Sequence, residues 1–171
     1  MTDFRAAEGH VKCEFVGRDG TTVPVYDGHN LTTFAASDAV ALAYAGDSSG
    51  IPKCVAFLYG TKASFGIGTV NRSTKYSEIE SGKSTGDYEI SVTPFGYAAT
   101  MASTDAETYD HNKVVFHCRT QNIPDNNRVY ALCLLGKKAD SYVLLAYVDL
   151  QSYKMKPADY ELSLDWAVSF K

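Results

Sequence analysis

The chain has 171 residues, enough for one domain (1–171) that buries a sizeable core without disulfide or metal staples. Apolar residues make up 45% and charged residues 21%, a balance that excludes intrinsic disorder. The net charge of −4, and the absence of any basic run longer than Lys137-Lys138, argue against nucleic-acid binding by bulk electrostatics.

Twelve tyrosines and eight phenylalanines favour sheet, because aromatic side chains suit a pleated, half-buried surface. His10 to Val16 alternates loosely, with Val11, Cys13 and Phe15 set against Lys12 and Glu14, and reads as a first strand. Asp19-Gly20 is a tight-turn signal, and Thr21 to Tyr26 is the return strand of a hairpin. Pro24 within that return strand marks an edge or a bulge. The pattern leaves open a peripheral position for this His10–Tyr26 hairpin.

The period then changes. Asn30 is a candidate N-cap for an alanine-rich stretch from Leu31 to Ala45 that ends at Gly46. Leu31, Phe34, Ala35, Ala41, Leu42 and Ala45 share one helical face, so one short α-helix is expected near residues 31–45. Cys54 to Tyr59 is a nearly continuous apolar run, the mark of a strand covered on both faces. Thr69 to Gly86 is polar and reads as a long loop, a length usual for binding loops and lids.

Asp87 to Phe95 returns to strand, Gly96 to Ala102 continues it past a bend, and Ser103 to Asn112 reads as a second polar loop. Lys113 to Thr120, Arg128 to Leu135 and Tyr142 to Leu150 are further strands, the last two joined through Gly136-Lys-Lys-Ala-Asp-Ser. The clearest alternation runs from Tyr160 to Phe170. Tyr160, Leu162, Leu164, Trp166, Val168 and Phe170 fall on one face, and Glu161, Ser163, Asp165, Ala167 and Ser169 on the other. Seven or more strands at this spacing predict a mainly β fold, an antiparallel β-sandwich or open barrel.

Cys13, Cys54, Cys118 and Cys133 lie singly in apolar stretches and are expected to be buried free thiols. The opening Met-Thr-Asp-Phe-Arg has no apolar signal core, and no apolar run approaches the length of a membrane span. A soluble protein made in a cytoplasm is the expectation.

Several motifs resemble catalytic or ligand sites and fail on context. Gly46-Asp-Ser-Ser-Gly looks like the nucleophile segment of chymotrypsin-like proteases, with Ser48 as nucleophile, but Ser49 replaces a required glycine. Neither His10 nor His29 has the surroundings of the partner histidine. Ser81-Gly-Lys-Ser-Thr matches the end of a phosphate loop, yet Ser77 stands where its first glycine belongs. Gly66-Ile-Gly-Thr-Val-Asn lacks the last glycine of a dinucleotide fingerprint.

Asp105, Glu107, Asp110 and His111 are hard ligands without the order or central glycine of a calcium loop. Glu78 and Glu80 lack the cleft that paired glycosidic acids need, and His117 reads as a hydrogen-bonded structural residue. No catalytic, cofactor-binding or metal residues are assigned.

Asn30-Leu-Thr-Thr-Phe with its alanine-rich helix, followed by Ile51-Pro-Lys-Cys-Val-Ala-Phe-Leu-Tyr-Gly-Thr, resembles the opening of small structural proteins of tailed-bacteriophage tails. The resemblance continues through the hairpin of Val129–Gly136 and Tyr142–Val148 to the close from Tyr153 to Phe170. It implies a non-enzymatic virion protein of the tail, baseplate or fibre-attachment region. Such a protein works as a homo-oligomer among other virion proteins, without cofactor, nucleic acid or membrane.

Tyrosine brings large contact area and a polar tip at low entropic cost, so Tyr76, Tyr88, Tyr97, Tyr109 and Tyr153, in or beside loops, are the candidate interface. Two further readings compete with this one. The first is a carbohydrate- or receptor-binding β-sandwich whose Thr69–Gly86 loop carries the site, and the second is a serine hydrolase using Ser48.

Overall fold

Strand alternation is satisfied by two five-stranded antiparallel sheets packed face to face. The computed structural model describes residues 8–95, 100–101 and 113–169. Along the chain run β1 (Glu8–Val16), β2 (Thr22–His29), β3 (Leu31–Thr32), α1 (Phe34–Tyr44), β4 (Pro52–Gly60), α2 (Tyr76–Gly82) and a 3₁₀ turn (Lys83–Thr85). Then follow β5 (Glu89–Pro94), β6 (Thr100–Met101), β7 (Lys113–Thr120), β8 (Arg128–Lys138), β9 (Ser141–Asp149) and β10 (Glu161–Ser169). The first sheet has the order β2-β1-β10-β7-β6 and the second β3-β9-β8-β4-β5. The fold is an antiparallel β-sandwich.

The alternating segment near residue 160 becomes β10, which lies in the middle of the first sheet between β1 and β7. Leu162, Leu164 and Trp166 point into the inter-sheet core with Val11, Phe15 and Cys118. From the second sheet Val55, Phe57, Leu132, Leu134 and Val148 meet them. Trp166 is fully buried, and its indole N–H donates to Asn30 Oδ1 at 3.0 Å, so the sole tryptophan ties β10 to the entry of β3.

The early hairpin is integral rather than peripheral. β1 pairs with β10 along its whole length, and Val11 and Phe15 are fully buried. Gly20 takes φ +84° in the turn, a conformation that glycine adopts without a Cβ penalty. Pro24 lies on the edge strand β2, where the register against β1 slips between Cys13 and Glu14 and leaves Val25 as the extra, buried residue.

The expected single helix is two. α1 starts at Phe34, because residues 31–32 extend instead and pair with Ala146–Tyr147 of β9. Asn30 therefore caps no helix. Thr33 occupies the cap position, with its hydroxyl hydrogen-bonded to the Leu144 carbonyl at 2.7 Å. The second helix, α2, forms inside the segment expected to be loop. The Asn71 side chain turns the chain by accepting the Ser73 N–H at 2.9 Å, and Glu78 Oε2 accepts the Lys75 N–H at 2.7 Å. Tyr76 and Ile79, one turn apart, then bury together.

α2 and the chain before it cover the outer face of the second sheet, building a third layer. Cys54, Ala56, Leu58, Tyr130, Cys133 and Leu135 lie beneath this cover, and Phe65, Ile67 and Val70 pack onto them. The second sheet is thus buried on both sides, as the apolar run Cys54–Tyr59 requires. All four cysteines are free thiols and buried.

Two substitutions test this packing. Trp166→Ala removes the largest fully buried side chain and should cost about 3–5 kcal/mol in urea denaturation. Gly136→Ala places a Cβ inside van der Waals contact with the Gly50 carbonyl oxygen, which is backbone and cannot swing aside. It should cost about 1–3 kcal/mol, and an unchanged midpoint would show that the β4–β8 contact is looser than described.

Candidate functional site

α1 is unusual in what it turns outward. Ala36, Ala39, Val40 and Ala43 form its inner stripe, with Ala39 against Gly50 and Thr33 tied to β9. Small residues let the helix sit close to the sheet, so its large apolar side chains are left outside. Phe34 is 53% exposed, Leu42 37% and Tyr44 90%. Of the face expected to be buried, Phe34, Ala41, Leu42 and Ala45 are exposed, Ala35 is half-buried and Leu31 lies in β3 instead. Alanines rather than leucine and phenylalanine set the approach distance of the helix. Phe34 is partly covered by Arg72, whose guanidinium lies 4.7 Å from the ring centroid. Leu42 and Tyr44 are exposed large apolar groups on opposite flanks of one short helix.

The candidate interface tyrosines do not share that surface. Tyr76 is 4% and Tyr88 2% exposed, both within the outer-face core, and Tyr88 O–H donates to the Ile79 carbonyl at 2.5 Å. Buried in this way, neither offers area to a partner. Tyr153 is half-buried and packs edge-on to Phe65 and Tyr130, with ring centroids at 5.3 and 5.1 Å. Tyr97 and Tyr109 lie outside the described residues, as do Asp105, Glu107, Asp110 and His111. Loop position does not imply exposure where a loop folds back as a cover and takes its own aromatics inward.

Most of the remaining motif residues lie in turns or have structural partners. Ser48 follows Asp47, whose Oδ1 accepts both the Ser49 N–H at 3.0 Å and the Ser49 hydroxyl at 2.6 Å, a turn closing α1. His10 pairs with Asp27 at 2.5 Å and stacks edge-on with His29. Lys83, the lysine of the phosphate-loop look-alike, pairs with Glu89 at 3.2 Å. Glu78 serves α2 as a cap, and on a helix Glu80 no longer shares its face. His117 is hydrogen-bonded to Asp165 at 2.5 Å on the outer face of the first sheet. Among the described residues no group of three or more His, Cys, Asp or Glu could hold a metal ion, and no helix is long and apolar enough to cross a membrane.

Two of the concavities formed by the described residues lie at the sandwich margins. One, of 330 Å³, is walled by opposite charges that satisfy each other: Arg119 with Glu161 at 2.5 Å, Arg18 with Asp159 at 3.9 Å, and Lys156 with Asp125 at 2.5 Å. Lys156 is 3% exposed, and its ammonium also reaches the Pro157 carbonyl at 3.3 Å. It clamps the β7–β8 loop to the β9–β10 loop, where Asn126 N–H donates to Lys156 O at 3.0 Å and Lys156 N–H to Asn127 O at 2.8 Å. The other concavity, of 490 Å³, opens where the end of β2, β3, the end of β9 and residues 67–70 meet. No protein-family model, curated protein or solved structure matches the chain.

The clamp gives a pH prediction. The hydrogen bond from Lys156 holds the Asp125 carboxyl below its ordinary value. A depressed acid contributes its stability above the unfolded-state pKa, about 3.9, and loses it as pH falls through the lower folded value. Asp125→Asn should therefore shrink the stability gap to the parent chain as the pH drops below that range, read by urea denaturation at stepped pH. A gap that stays constant down to full protonation would remove the clamp's electrostatic role.

Proposed function

We propose that the chain is a structural subunit of a tailed-phage virion, in the tail, baseplate or fibre-attachment region, acting through protein–protein contacts as a homo-oligomer within a larger assembly. The observation that carries this reading is the exposure of large apolar side chains on α1. Leu42 and Tyr44 present large side chains to solvent on a helix whose alanine stripe already satisfies its packing to the sandwich. Covering them in a subunit contact recovers apolar burial that the isolated chain forgoes. A β-sandwich buried on both faces of one sheet is a stiff block, suited to carry such contacts without deforming. The resemblance of residues 30–170 to tail proteins supports the same reading.

The test is size-exclusion chromatography with light scattering over a range of concentrations, for the parent chain and for Leu42→Asp/Tyr44→Asp. The parent should self-associate or bind proteins encoded by neighbouring reading frames. The double variant, altered only at exposed positions, should keep its melting temperature and lose association by about tenfold or more. A parent chain that stays monomeric and binds no neighbour would overturn the assignment.

A further inference from the structure

The two sheets end in β2 and β6 on one side of the sandwich and in β3 and β5 on the other. β3 and β6 are two residues each and offer little edge. β2 is long but defended. Pro24 lies within it, its register with β1 slips between Cys13 and Glu14, and the Lys154 ammonium donates to the Pro24 carbonyl at 2.6 Å. Proline, bulge and lysine are the devices that keep an edge strand from pairing with another chain.

β5 uses none of these along its length. Its register with β4 runs without a slip from Tyr59↔Glu89 to Cys54↔Pro94. Ile90, Ser91, Val92 and Thr93 bear no charge, and all but Ser91 are β-branched, which suits a pleated pairing surface. The Glu89 carboxylate at the start of the strand is held by Lys83 at 3.2 Å. Pro94 stands only at the strand's end.

The ladder sets which backbone groups face outward. Phe95 N–H donates to the Lys53 carbonyl at 3.1 Å, one step beyond the Cys54↔Pro94 pair. Along an antiparallel strand, residues alternate between exchanging both bonds with the neighbour and turning both groups away. Counting back from Phe95, Thr93 and Ser91 bond to β4, while Ile90 and Val92 direct N–H and C=O to the open side. Pro94 falls in the same outward series, where its missing N–H costs the β4 ladder nothing. Among the described residues no strand pairs with that side.

We infer that β5 is a strand-addition surface whose occupant is β5 of a second copy of this chain, antiparallel across a two-fold axis. Centred on Ser91, the pairing sets Ile90 of one copy opposite Val92 of the other, twice by symmetry, and closes about four backbone hydrogen bonds. Glu89 then faces Thr93, so no like charges meet, and the β-branched side chains pair across the seam. The second sheets of the two copies join into one. This contact deepens the homo-oligomer reading and rests on it, yet it uses the opposite margin from α1, which packs on β9.

The experiment is amide hydrogen exchange of the full chain by NMR over a wide range of concentration, alongside light scattering. As the dimer forms, the Ile90 and Val92 amides should slow by about tenfold or more, while Ser91 and Thr93, already bonded to β4, change far less. Val92→Pro removes an outward donor and spares the β4 ladder, so it should stay folded by Trp166 fluorescence and weaken self-association by about tenfold or more. Protection lost in Val92→Pro and kept in Leu42→Asp/Tyr44→Asp supports this contact and takes α1 out of it. Association that persists with the Ile90 and Val92 amides unprotected, and is lost in the α1 variant, leaves the assembly reading standing and overturns this contact. Amides that exchange at one rate at every concentration, or a Val92→Pro chain that associates as tightly as its parent, would overturn it as well. A chain that neither self-associates nor binds a neighbour overturns both readings.

Discussion

The burial of the second sheet on both faces is the constraint from which the rest of the architecture follows. In β8 every residue from Val129 to Gly136 is buried, so neither face of that strand can meet water. One face is answered by the first sheet, the other by residues 61–82 folding back across it. A returning loop brings backbone carbonyls into an apolar layer, and these need donors. Tyrosine supplies them. Tyr130 O–H reaches the Lys62 carbonyl at 2.6 Å and Tyr88 O–H the Ile79 carbonyl at 2.5 Å, while Phe65 stacks on Tyr130 with centroids at 4.7 Å. The aromatic richness of the chain thus serves an internal seam: the ring packs, and the phenol tip satisfies the cover.

What was legible in the sequence was alternation, continuous apolar runs and turn residues. β10, the β1–β2 hairpin, the doubly covered β4 and the β8–β9 pair stand where alternation and turn residues place them, with Gly20 and Ala139 at positive φ in the two hairpin turns. What was not legible depends on tertiary contact. Residues 31–33 carry helix-compatible side chains, yet they extend because β9 offers an edge to pair with. α2 has only Tyr76 and Ile79 as an apolar stripe, too short for a periodic signal, and it exists because the sheet beneath needs covering. The inward turn of Tyr76 and Tyr88 follows from the same cover, which no local spacing announces.

The candidate sites were hidden for a related reason. The 490 Å³ concavity gathers residues from β2, β3, the 67–70 segment and β9, four stretches that no linear motif joins. The motifs that did stand out, around Ser48 and Lys83, are turns whose polar groups are already engaged locally. Satisfied groups such as Lys156 and Glu78 hold the scaffold, whereas among the described residues unpaired buried polar atoms are few: Thr93 Oγ1, Arg128 Nε and the Tyr147 hydroxyl. A fold whose local choices agree almost everywhere concentrates meaning in the places where they do not.

The distribution of sulfur adds something practical. Cys54 and Cys133 lie beneath the tyrosine-rich cover, whereas Cys13 and Cys118 lie between the two sheets. Burial pushes all four thiols up, Cys118 to about 11, so the reactive thiolate is scarce while the layers stay shut. A thiol-specific reagent consequently reads two separate motions. Lifting the cover alone unmasks the first pair, and parting the sandwich unmasks the second, so the native protein carries internal reporters that distinguish partial from global opening.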